Sequence, residues 1–203
     1  MVEKILLSTA YFPPLHYISL IYRAEKIFIE KEENYLKQTY RNRCTILTAN
    51  GQFSLSVPVL SERFIKKPVK DIKIDYSKRW QQVHLRALVS SYKSSAYFEY
   101  YFEDFEKIIA GKPKYLLDLN QVILDTALRI MGISRHIEYT NVFEPYADNK
   151  NDFRYIIAPN KEIQGKLLYT EYYQVFSYKF EFVPGLSIID LIFNAGPDSV
   201  NYL

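Results

Sequence analysis

The sequence predicts a single-domain α/β fold with a mixed sheet, an early βαβ unit, an Asn-Gly β-hairpin and several packing helices. Apolar runs at residues 4–10 and 26–30 flank a segment with helical spacing, which suggests two parallel strands and their crossover. The dipeptide Asn50-Gly51 joins two alternating runs. Further along, several stretches repeat apolar residues at intervals of three and four, as packing helices do.

Taken in order, residues 4–10 (KILLSTA) read as a short buried strand closed by Pro13 and Pro14. Leu15, Ile18, Ile21 and Tyr22 then keep helical spacing over 15–23, and residues 26–30 return as a strand parallel to the first. In the hairpin, a type I′ turn with positive φ at Asn50 and Gly51 would pair Ala49 with Gln52, Ile46 with Leu55 and Cys44 with Val57. That register puts Cys44, Ile46, Phe53, Leu55 and Val57 on an apolar face, with Ser54, Ser56, Thr45, Arg43 and, by extension, Arg41 opposite.

A short strand is expected within 69–74, and helices over 77–91, 96–110 and 117–131, the last stopped by Gly132. Residues 133–139 suit another core strand, and 188–193 a final short helix. Segments 148–152 and 158–165 read as loops, while 169–182 fits helix and strand equally. The domain is expected to span 1–203, with 194–203 as a flexible tail.

Composition narrows function mainly by exclusion. A net charge of +3 is too small to predict a nucleic-acid partner. Cys44 is the lone cysteine, so no intrachain disulfide can form, and the expected location is the reducing cytoplasm. Pro13 and Pro14 interrupt the first apolar run too early for a signal peptide, and no uninterrupted apolar run suggests membrane insertion. The 19 tyrosines and 13 phenylalanines require many half-buried rings, and a homodimer is one way to cover them.

Several segments, in order, resemble the WbqC-like family: YFPPLHYISLI, NYLKQTYRNRCTI, the Asn-Gly hairpin running into SVPV, WQQVH with SAYFEYY, LDLNQVI, and VPGLSIIDLIFNAGP. The resemblance spans most of the chain. It implies a bacterial surface-polysaccharide or O-antigen setting and a transferase role in sugar modification. Relatives typically carry glutamine before the tyrosine-aromatic-proline segment, where this chain has Ala10.

Arg41, Asn42 and Arg43 form the leading substrate-binding candidate, because guanidinium groups grip phosphate or carboxylate through paired hydrogen bonds. Lys37 and Tyr40 add donors, as does Gln38, and Tyr11 joins the set from the amino-terminal motif. The alternative is that both arginines pair with acids to fix the hairpin. His84 and His16 are the catalytic candidates, since imidazole exchanges protons near neutrality and His16 follows the first strand's carboxyl end. The other reading is structural: a buried, hydrogen-bonded histidine for His84 and a surface or ring-packing histidine for His16. Cys44 reads as a core thiol, and the histidine spacing predicts no metal site.

Without GxGxxG, GxxxxGK[ST] or GxSxG, the sequence lends no support to a dinucleotide enzyme, a P-loop or a serine hydrolase. No resident cofactor is predicted; an activated acyl or nucleotide-linked donor, a small anionic molecule such as a sugar-nucleotide, would be the co-substrate. The favoured function is a transferase in surface-polysaccharide or O-antigen precursor modification, moving an acyl or aminoacyl group onto an amino-sugar. The alternatives are a noncatalytic carbohydrate or sugar-nucleotide binding module and a structural assembly protein.

Overall fold

The computed structural model describes residues 2–60, 66–145, 151–159 and 170–203. Strand β1 (Val2–Ser8) leads through helix α1 (Leu15–Arg23) directly into β2 (Ala24–Glu30), and the two strands pair in parallel with Ile5 beside Ile27 and Leu7 beside Ile29. A third parallel strand, β5 (Ile137–Tyr139), pairs with β2 to give the order β1-β2-β5. The crossover is tight because Ala24 both caps α1, through its amide on the Leu20 carbonyl, and begins β2. Every residue from Leu15 to Ile21 is buried, as expected of a helix enclosed by packed neighbours.

Alternation along the strands gives the sheet two unlike faces. Ile5, Leu7, Ile27 and Ile29 enter the core almost fully buried. Lys4, Leu6, Phe28, Glu30 and Glu138 take the other face. Beside β1, Leu6 makes a parallel bridge to Asp152: its amide donates to the Asn151 carbonyl and its carbonyl accepts from Phe153.

The hairpin β3 (Arg43–Thr48) and β4 (Gly51–Ser56) forms its own two-stranded antiparallel sheet, so parallel and antiparallel pairing are segregated. Its register corrects the expectation by two residues: Thr48 pairs with Gly51, Ile46 with Phe53 and Cys44 with Leu55. Gly51 alone adopts positive φ, at 101°, so a turn at Ala49 and Asn50 is followed by a glycine, in place of a type I′ pair. A two-residue slip preserves facing, and Cys44, Ile46, Leu55 and Val57 are buried as expected. Phe53 is not: the helices over Trp80–Tyr92 and Ile188–Ala195 pack on β3, and the ring on the outer strand is 45% exposed.

Helices α2 (Trp80–Tyr92), α3 (Phe98–Ala110) and α4 (Leu116–Ile130) lie where helical spacing put them. Gly132, at φ 66°, ends α4 as a Schellman motif, with its amide on Arg129 and that of Ile133 on Leu128. The short strand expected at 69–74 is replaced by a 3-10 turn, Val69–Asp71, followed by isolated bridges from Lys73 and Ile74. Residues 133–136 are outside any strand, leaving β5 shorter than expected. The loop expected at 158–165 lies largely outside the described residues.

Helix α5 (Ile188–Ala195) is capped by Ser187, whose hydroxyl accepts from the Ile189 amide and donates to the Phe12 carbonyl. In place of a free tail from 194, a 3-10 helix over Gly196–Tyr202 buries Ser199 and ties Tyr202 to the Thr170 amide. Gly196 makes this reversal at φ 56°, where a methyl group would collide with the Tyr97 ring. Urea denaturation should therefore show Gly196→Ala costing about 3 kcal/mol, from strain plus overpacking, and Gly132→Ala about 1 kcal/mol from strain alone, because nothing crowds that position. Equal losses would contradict this account.

Candidate functional site

Parallel sheets present their carboxyl ends to ligands, and here that edge is closed on one side and open on the other. On the closed side Arg41 and Arg154 are both buried. Arg41 donates through Nε and Nη2 to the two Glu33 oxygens, at 2.9 and 2.6 Å, and through Nη2 to Ser8 Oγ at 2.6 Å. Arg154 donates to both Asp152 oxygens, to Glu30 Oε2 at 3.0 Å and to the Glu144 carbonyl at 2.8 Å. The Tyr155 ring lies within 6 Å of both guanidinium groups.

The open side is a cleft of about 370 Å3 over the outer sheet face. Leu6 and Phe28 supply apolar lining, and Glu30, Glu138, Thr140, Asn141, Glu144 and Asn151 supply polar atoms. Glu30 is fixed by Arg154, the Glu32 amide and the Thr140 hydroxyl. The side-chain carboxylates of Glu138 and Glu144, both exposed residues, have no hydrogen bond or ion pair among the described residues. The Lys4 ammonium sits 4.7 Å from the Phe28 ring centroid, so a cation already rests on that ring face. An aromatic face, free carboxylates and amides together suit a polyhydroxylated ligand bearing positive charge.

The residues singled out from the sequence lie elsewhere. Strand parity does not reach Arg41, because the chain turns through Gln38 at φ 61° and β3 starts only at Arg43; Arg41 consequently enters the interior and pairs with Glu33. Asn42 braces the hairpin base, its side-chain amide donating to the Val57 carbonyl. Arg43 is half-buried beside the exposed polar hairpin face, and Lys37 is exposed.

Tyr11, Tyr40, His16 and His84 form a chain through the core. The Tyr11 hydroxyl meets His84 Nδ1 at 2.8 Å, its amide donates to the Tyr40 carbonyl, and the Tyr40 ring is 6.3 Å from His16. The Ser56 backbone beside His84 favours the charged imidazole, but less than burial opposes it. His84 is 2% exposed and sits in the wall of a recess between β4 and α2. Burial lowers His84 and His16 to about 4, keeping both neutral near pH 7. Burial likewise pushes the Cys44 thiol up, as suits a core side chain.

Sequence reasoning missed Lys4, Phe28, Glu138, Asn141, Glu144 and Arg154. The alternation within 4–10 and 26–30 could have indicated the first two, since it separates Ile5 from Lys4 and Ile27 from Phe28. Nothing local marked the others, which reach the edge from distant segments.

A WbqC-like protein family profile matches residues 9–167 and 159–202. The chain is also similar to the uncharacterized protein Rv1507c of Mycobacterium tuberculosis (strain ATCC 25618 / H37Rv), at 25% identity over 228 aligned residues, covering 100% of this chain and 98% of that protein. No solved structure matches. Among the described residues, no helix is long and apolar enough to cross a membrane.

The histidine burial has a pH consequence. A His held near 4 in the fold and near 6.5 when unfolded leaves its stability intact above pH 6.5 and loses it as pH falls toward 4. Asp190, raised to about 6 chiefly by burial, acts oppositely because the fold takes up its proton before the unfolded chain does. Urea denaturation at pH 7 and 5 should show His84→Asn losing about 2 kcal/mol less than wild type over that interval. An unchanged difference would show that His84 is accessible to protons in the fold.

Proposed function

The chain belongs to the WbqC-like protein family, and from that premise we propose that it takes an amino-sugar of a bacterial surface-polysaccharide precursor into the cleft over Phe28 and acts on it as a transferase. The observation that carries the substrate class is the pairing of an aromatic face with the unpaired carboxylates of Glu138 and Glu144. Sugar carbon-hydrogen faces pack on rings, hydroxyls bond to amides and carboxylates, and an ammonium is drawn to carboxylate charge. Asn141 and Asn151 add both donors and acceptors to the lining.

In acyl or aminoacyl transfer, the neutral sugar amine attacks the acyl carbon, forming the new carbon-nitrogen bond. The bond to the donor's carrier breaks, with the electron pair leaving on the carrier, and nitrogen sheds its proton to a base. Glu138 and Glu144 are the cleft carboxylates without a partner among the described residues, and so are the candidates to receive it. The transfer step draws its support from the family setting, and the amino-sugar from the cleft's chemistry.

A noncatalytic carbohydrate-binding module is the second reading, favoured by the burial of His16 and His84 within the core. Titration with glucosamine and N-acetylglucosamine should give preferential binding of the free amine. Glu138→Gln with Glu144→Gln should weaken it about tenfold, near 1.4 kcal/mol, without loss of folding. Equal affinity for both sugars, unaffected by that double substitution, would contradict the amino-sugar assignment. Product formation on adding activated acyl donors separates the transferase from the binding module.

A further inference from the structure

A second recess lies between β4 and the amino end of α2, away from the residues that line the sheet cleft. It encloses about 300 Å3 and is lined by Phe53, Leu55, Pro58, Trp80, Val83 and His84, with Ser54, Ser56, Lys78 and Arg79 adding polar groups. Phe53 and Val83 are 45% and 53% exposed, so the recess keeps apolar surface open to solvent. Lys78 and Arg79, both exposed, stand at the entrance to α2.

The helix start adds to that positive charge. Among the described residues no side chain caps α2, its first turn contains no acid, and none accepts from the Trp80, Gln81 or Gln82 amides. Within the wall, Trp80 is 5% exposed and its indole N–H has no hydrogen-bond partner. The neighbouring acid is Asp75, whose carboxylate accepts from the Ser77 amide at 2.9 Å and interacts with Lys78. Arg79 has no ion pair among the described residues.

We propose that this recess binds a nucleoside diphosphate, with its phosphates at Lys78, Arg79 and the first-turn amides of α2, and its base against Phe53. Anions favour exposed helix amides reinforced by cations, while the ring offers a stacking surface for a base. A simple inorganic anion would leave the open apolar surface of Phe53 and Val83 unused. The same diphosphate chemistry occurs in a sugar-nucleotide and in coenzyme A. This assignment shares no residue with the amino-sugar cleft, so either can fail without the other.

Calorimetric titration of the full chain with UDP, ADP, pyrophosphate and uridine tests it. UDP or ADP should bind more tightly than pyrophosphate or uridine. The Lys78→Ser/Arg79→Ser double variant should weaken nucleotide binding at least about tenfold at unchanged melting temperature. Phe53→Ser should weaken nucleotide binding and leave pyrophosphate binding unchanged. Should Phe53→Ser reduce folding, nucleotide-induced shifts of the wild-type Val83 methyl resonances provide the independent readout. Competition by a UDP-sugar or by coenzyme A would support the corresponding source. No nucleotide binding, binding unchanged in the double variant, or pyrophosphate binding as tightly as UDP and ADP would overturn the proposal.

Discussion

The buried guanidinium of Arg154 is the constraint on which the sheet edge depends. It is 1% exposed and must offset the loss of water through Asp152, Glu30 and the Glu144 carbonyl. Those partners come from three separate parts of the chain, so satisfying one charge brings the carboxyl end of β2 and the segments on either side of residue 150 together. Arg41 does the same for Glu33 and Ser8. Removing one member of a buried pair leaves an uncompensated charge, a loss of about 3–5 kcal/mol, whereas replacing both with packed apolar groups can be nearly neutral. The ionic network is therefore better understood as a device that fixes position than as a source of net stability.

That position is what gives the cleft its shape. Glu30 becomes a fixed wall because its carboxylate is already committed to Arg154, the Glu32 amide and Thr140. The Glu138 and Glu144 side chains, unpartnered among the described residues, line the open side. The histidines play a different part in this architecture: Tyr11 and His84 join the loop after β1 to α2 inside the core.

Local periodicity made much of the fold legible. Leu15 through Arg23 had both the apolar spacing and the flanking strands needed for a parallel crossover, and Gly132 had the conformational freedom required beyond α4. The hairpin was legible in kind but not in register, because Asn50-Gly51 can occupy either a type I′ turn or a turn followed by a positive-φ glycine, and parity is the same in both. Arg41 was misplaced for a different reason: extrapolating strand alternation beyond Arg43 ignored the turn at Gln38. Of the cleft, Lys4, Leu6, Phe28 and Glu30 lay within such alternation. Arg154, Glu144 and Asn141 depend on long-range ion pairing and on how segments remote in sequence meet, which no local spacing encodes.

Amide hydrogen exchange on wild type and Arg154→Met tests most directly whether the buried arginine organises this edge. The account predicts faster exchange at Leu6 and Phe153, whose amides bond across the β1 bridge, while Ile27 and Ile29 in the centre of the sheet remain protected. Unchanged exchange at Leu6 and Phe153, or an equal rise throughout the sheet, would contradict the local positioning role of Arg154.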